Sequence, residues 1–127
     1  KQIFLLIGVN DISHDLSTDS IVHMIEKNVT RIQRESPETK LYLQSLLPID
    51  ESFNRYKKLT NKTYQIPEIN DRLKALAKEK KIDFIDLYPL FTEKGTNVLR
   101  KELTYDGLHL KEEGYKIWVD AIKKKIK

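Results

Sequence analysis

The sequence predicts a three-layer α/β/α domain built on a parallel sheet, and two observations carry that expectation. The first apolar run, residues 3–7, is continuous rather than alternating, as strands covered on both faces are, and two further strand-like runs follow at 41–49 and 82–88. Between and after them lie segments whose apolar residues recur at helical spacing, so strand and helix alternate along the chain. Such strands run parallel, joined by right-handed crossovers, and ligands sit beyond their carboxyl ends.

The first strand, Ile3 to Ile7, is read as buried on both faces and gives way to a loop. A helix begins at Ser17 or Thr18, with Asp19 in its first turn and Ile21, Ile25, Val29 and Ile32 on one face. It runs to the break at Ser36 and Pro37. The second strand, "LYLQSLLPI", stops at Pro48 and leads into a polar loop. From about Tyr64 to Lys80, Ile66, Ile69, Leu73, Leu76 and Ala77 recur at helical spacing. "IDFIDLY" is the third strand, followed by a loop with room for a short helix, passing Gly95 and Asn97 to "YDGLHL". A last helix from about Lys111 turns Ile117, Trp118, Ala121 and Ile122 to the core.

With 127 residues the chain is one domain, residues 1–127, long enough to bury a core. Hydrophobic residues at 39% and charged ones at 33% describe a soluble globular protein, and no apolar run reaches the roughly 20 residues of a membrane span. The absence of cysteine excludes a disulfide framework and thiol catalysis. The net charge of +4 owes much to Lys123, Lys124, Lys125 and Lys127, cations that suit the negative end of a helix. With no interleaved aromatics they give no reason to expect nucleic acid. Four glycines, at 8, 95, 107 and 114, cannot build a phosphate-binding loop, so no nucleotide cofactor is expected. His14, Asp15, Asp19 and His23 form a loose cluster read as capping and solvated surface, and no metal is expected.

Two short motifs carry chemistry. Asn10 and Asp11 fall just past the first strand, at the end of the sheet where a side chain reaches a cleft. In "YDGLHL", Asp106 and His109 stand three residues apart across Gly107, so the carboxylate can hold the imidazole in one tautomer and stabilise its protonated form. Each also has a plain structural reading, as turn chemistry and as a capping aspartate beside a hydrogen-bonded histidine. Tyr88, Phe91 and Tyr105 are candidates for a pocket wall, with core or rim packing as their ordinary role.

In this order and with this fold, the motifs resemble the SGNH (GDSL) hydrolase family. "IGVND" at residues 7–11 is similar to its Gly-x-Asn-Asp block and "DGLH" at 106–109 to its last block. "YLQSLLPI", "IDFIDLYPLF" and "LKEEGYKIW" resemble the intervening strands and closing helix. The likeness covers essentially the whole chain and points to platelet-activating-factor acetylhydrolase-like esterases and carbohydrate acetylesterases. It implies a flavodoxin-like SGNH fold, Asn10 as an oxyanion-hole donor, His109 as general base and Asp106 as its orienting acid, with no cofactor. The implied reaction is serine acyl transfer on a small-molecule or glycan ester, with acetyl esters of sugars preferred.

The family's nucleophilic serine and a second oxyanion donor, a glycine, lie upstream of the Gly-x-Asn-Asp block, and neither block is in this sequence. The chain therefore resembles the C-terminal portion of such a domain, and on its own is expected to be inactive. "TDSI" at 18–21 follows the Asn–Asp block and opens a helix, so Ser20 is read as part of its cap; Ser13 lies in the loop and Ser45 within the second strand. The first strand has an edge open to pairing with an N-terminal segment or a second chain. A periplasmic or secreted location is favoured over a cytoplasmic one. The competing reading is a non-catalytic α/β binding module, a degenerate hydrolase or an unrelated flavodoxin-like domain.

Overall fold

The structure, a computed structural model, describes residues 1–126; within that span the Asn10 side chain lies outside the described residues. Three parallel strands, β1 (Gln2–Leu5), β2 (Lys40–Gln44) and β3 (Asp83–Ile85), lie in the order β1-β2-β3. The register pairs Ile3 with Leu41 and Leu43 with Phe84. The helices are α1 (Val9–Ser13), α2 (Thr18–Glu35), α3 (Gln65–Lys80), α4 (Tyr88–Phe91) and α5 (Glu112–Ile126).

Successive residues of a strand point to opposite faces, and the core divides accordingly. Ile3, Leu5, Leu41, Leu43 and Phe84 pack with Ile21, Ile25 and Val29 of α2 and Ile66, Ile69 and Leu73 of α3. Phe4, Tyr42 and Ile85 pack on the other face with Leu87, Phe91, Leu99, Leu103 and the Ile117, Trp118, Ala121, Ile122 side of α5. Phe4 and Tyr42 stack at 4.6 Å across the strand pair. Each fully buried aliphatic residue contributes roughly 1.5–3 kcal/mol, so this apolar sandwich is what sets the layers.

Helix α2 starts where the sequence says it should, since the Ser17 hydroxyl accepts the Ser20 N–H at 3.1 Å. The strands, in contrast, are shorter than their apolar runs. β1 ends at Leu5 and its residues are only partly buried, the expectation of burial on both faces failing because β2 alone pairs with it among the described residues. The predicted loop after it contains α1, begun by the Gly8 carbonyl accepting the N–H groups of Asp11 and Ile12. Asn10 and Asp11 therefore stand in the first turn of a short helix, five and six residues beyond Leu5.

β2 ends at Gln44, and the apolar residues that follow leave the ladder. Ser45 Oγ instead accepts the N–H groups of Leu87 and Tyr88 at 2.8 and 3.0 Å, and Asn70 clamps both the N–H and the carbonyl of Leu46. β3 ends likewise at Ile85, whose carbonyl accepts the Ser45 N–H. The apolar residues reported burial here, and beyond the Ser45–Ile85 bond the backbone is satisfied by the side chains of Ser45 and Asn70 rather than by further ladder bonds. No helix among the described residues is long and apolar enough to cross a membrane.

Candidate active site

The "YDGLHL" turn is fixed by its own backbone before any side chain acts. Thr104 and Leu110 form an antiparallel bridge, and the buried Thr104 hydroxyl donates to the His109 carbonyl at 2.6 Å while accepting the Gly107 N–H at 3.0 Å. Gly107 takes φ +91°, and a Cβ there would meet the Asp50 carbonyl at 2.4 Å, so only glycine fits. The Asp50 N–H in turn donates to the Gly107 carbonyl at 2.9 Å, tying the turn to the segment after β2.

Asp106 is held through both oxygens. Oδ1 accepts the backbone N–H groups of Leu108 and His109 at 2.9 and 2.8 Å. Oδ2 lies 2.8 Å from His109 Nδ1 and accepts the Tyr56 hydroxyl at 2.6 Å. Burial pushes the Asp106 carboxyl upward, but the bonds from Tyr56, His109 and the two backbone N–H groups outweigh it and hold the group well below the usual carboxylate range. An ionised carboxylate only accepts, so Nδ1 must carry the proton that faces it, leaving Nε2 of the neutral ring as a free base. The His109 side chain is 66% exposed and that of Asp106 13%, so a largely shielded carboxylate stands behind an accessible imidazole.

Tyr56 was not anticipated from sequence. It precedes a 3₁₀ turn at Lys57–Leu59 and sits 50 residues from Asp106, with its hydroxyl also 3.0 Å from His109 Nδ1. The bond to Asp106 raises its pKa, with burial and the carboxylate charge acting in the same direction. Only the pairing of a loop with a distant turn brings it here, and no local spacing signals that.

Two cavities open on His109. One, of about 260 Å³, is mainly apolar, with Leu6, Ile7, Leu46, Leu108, Tyr115 and Trp118 in its wall. Trp118 is oriented by its Nε1–H, which donates to the buried Gln44 at 2.7 Å. The other, of about 500 Å³, is lined by Ser13, Arg55, Tyr56, Lys57, Lys58 and their neighbours. Val9 borders both, so the backbone of α1 comes to the same site as the Asp106–His109 pair. The Asn10 side chain lies outside the described residues.

The remaining candidates go elsewhere. Phe91 is core, Tyr105 is 69% exposed, and the Tyr88 hydroxyl donates to the Asn97 carbonyl. Ser45 is buried, and Ser20 Oγ accepts from Ser17. In the loose acidic and histidine cluster, Asp15 pairs with Lys62, Asp19 with Arg72 and His23 with Glu26. Among the described residues no group of three potential ligands could hold a metal ion.

Residues 1–117 match the model of the GDSL-like Lipase/Acylhydrolase family. A structure from Streptococcus pneumonia, provisionally described as a platelet activating factor, is 29% identical and superposes with a TM-score of 0.89 over 99% of this chain and 59% of its own. A GDSL-like lipase from Bacteroides thetaiotaomicron is 26% identical, with a TM-score of 0.79 over 97% of this chain and 60% of its own. The isoamyl acetate-hydrolyzing esterase of Saccharomyces cerevisiae is 39% identical over 67 residues, 53% of this chain and 27% of that protein. An N-acylneuraminate cytidylyltransferase of Escherichia coli is 27% identical over 126 residues, 98% of this chain and 28% of that protein, so the chain spans 27–28% of the length of these two curated relatives and about 60% of the solved ones. With the match running from the first strand into the last helix, the chain belongs to the GDSL-like lipase/acylhydrolase family of hydrolases.

Proposed function

We propose that this chain carries the general base, its orienting acid and an oxyanion donor of a serine esterase that cleaves acetyl esters. The observation that carries the reading is the 2.8 Å bond between His109 Nδ1 and an Asp106 carboxylate whose other oxygen is occupied by two backbone N–H groups. That carboxylate cannot turn away, so the imidazole presents Nε2 outward.

In this mechanism Nε2 takes the proton of a serine hydroxyl as its oxygen attacks the ester carbonyl. Asp106, ionised throughout, stabilises the imidazolium, and Tyr56 holds the shared carboxylate oxygen in place. Asn10 donates its amide to the oxyanion of the tetrahedral intermediate, an interaction worth about 3–4 kcal/mol of barrier. The imidazolium then returns its proton to the departing alcohol, and water, deprotonated by the same base, hydrolyses the acyl-enzyme.

The nucleophile is assigned to a Gly-Asp-Ser segment preceding this chain in a longer protein, with residues 1–127 forming the C-terminal portion of the domain. A small apolar groove beside His109 supports a short acyl or alkyl group, and the yeast relative's own substrate is an acetate ester. Acetyl esters of sugars are the preferred class, ahead of lysophospholipid and short aryl esters.

The test is hydrolysis of an aryl acetate by the 127-residue chain and by the full gene product. The expected result is no turnover by the chain and turnover by the gene product that His109→Ala removes. Hydrolysis by the chain alone, lost in His109→Ala, would overturn the assignment of the nucleophile; a gene product that turns over without His109 would overturn the mechanism.

A further inference from the structure

The two cavities at His109 differ in charge, and the difference comes from one stretch of chain. Arg55, Tyr56, Lys57, Lys58 and Leu59 all line the larger one, three cations in five residues with no acid among them. Of the acids around it, Asp15 pairs with Lys62 and also feels the charge of Lys58, Asp106 is held by Tyr56, His109 and the backbone, and Asp11 stands on α1 between the lining residues Val9 and Ser13. None of Arg55, Lys57 and Lys58 forms an ion pair among the described residues.

These cations are not on a free tether. Leu59 is buried and donates its N–H to the Tyr56 carbonyl, the Thr60 N–H closes the turn on Lys57, and the Tyr56 hydroxyl is bonded to Asp106. The backbone that bears the charges is therefore anchored at both ends of the turn, against the pair that would do the chemistry. The three cationic side chains are exposed, but with their backbone fixed their like charges stay close together, and an anion in the cavity would relieve that repulsion.

We propose that this cavity is a subsite for an anionic group, a carboxylate or a phosphate, carried by the alcohol part of the ester, with the apolar groove on the other side of His109 receiving the acyl part. The inference rests on reading His109 as the base of an esterase. It narrows the substrate from sugar esters in general to esters of acidic or phosphorylated sugars. Arg55 can grip such an oxyanion with a two-toothed guanidinium, while Lys57 and Lys58 act as point charges.

The test is binding, read by amide and histidine-ring NMR on the 127-residue chain. Methyl glucuronide, methyl glucoside and inorganic phosphate are the three probes, each titrated at low and at physiological salt. The expected result is that glucuronide or phosphate shifts residues 55–59 and the His109 ring at least about tenfold more tightly than glucoside. That preference should weaken with salt. Substituting Arg55→Gln, Lys57→Gln and Lys58→Gln together should lower the anion's affinity by about tenfold, with the spectrum otherwise folded. The stronger of the two anions identifies carboxylate or phosphate as the group. Equal binding of the neutral glucoside, no binding of either anion, or anion binding unchanged in the triple variant would overturn the proposal. No turnover is read, so anion binding in a protein whose gene product hydrolyses nothing would overturn the esterase reading and leave the anion site standing.

Discussion

The two turns that carry the family's motifs, around Gly8 and around Gly107, both need a left-handed backbone, yet they are built to very different stiffness. Gly107, at φ +91°, is locked between Thr104, Asp50 and Phe53, and an added methyl would strike a backbone carbonyl. Gly8, at φ +132°, lies between β1 and α1, and the atoms nearest to an added Cβ are the ends of the Leu46 and Ile21 side chains at 3.4–3.6 Å. The turn that holds Asp106 against His109 is clamped by neighbours on several sides, whereas the turn that starts α1 depends mainly on its own carbonyl. In the proposed mechanism that rigidity serves the base, which needs a fixed tautomer and ring direction that a loose turn could not give.

Substitutions should separate the two turns in a definite order. Gly107→Ala should cost about 3 kcal/mol, from positive φ and a clash that the hydrogen-bonded Asp50 peptide cannot escape. Thermal unfolding measures it, and a loss below 1 kcal/mol would show that the turn yields. Asp106→Asn should cost about 2 kcal/mol, since one amide oxygen cannot accept for both the backbone pair and the Tyr56–His109 pair. Gly8→Ala should cost about 1 kcal/mol, mostly backbone, because Leu46 can move aside; a cost matching that of Gly107→Ala would erase the contrast. Tyr56→Phe should cost about 1 kcal/mol in denaturant unfolding, removing one charge-assisted bond and leaving Asp106 to hold His109 alone.

Acid sharpens the same comparison. Asp106 titrates well below its unfolded value, so its contribution to stability is complete above the usual carboxylate pKa, near 4, and is lost as pH falls from there toward the lowered folded value. Unfolding free energy should therefore decline below about pH 4 in the wild type, and less steeply in Asp106→Asn. Equal slopes would mean that the carboxylate is not held as described.

Much of this was readable in the sequence because the signals were local. The face of α2, the cap at Ser17, and the three-residue spacing of Asp106 and His109 across a glycine are each set within a few residues. Strand ends were misjudged because Ser45 and Asn70 satisfy backbone groups that an apolar run cannot reveal. Tyr56 and the cationic cavity were missed for a related reason. Their meaning depends on a loop meeting a turn 50 residues away.

The most direct test of the central claim is the tautomer of His109, read from the ring nitrogen shifts of the ¹⁵N-labelled chain at a pH where the imidazole is neutral. A proton on Nδ1, with Nε2 bare and the Nδ1–H signal weakened in Asp106→Asn, is the result expected of an oriented general base. A proton on Nε2 with Nδ1 bare would contradict it, because the nitrogen facing the substrate side would then have no capacity to take a serine proton.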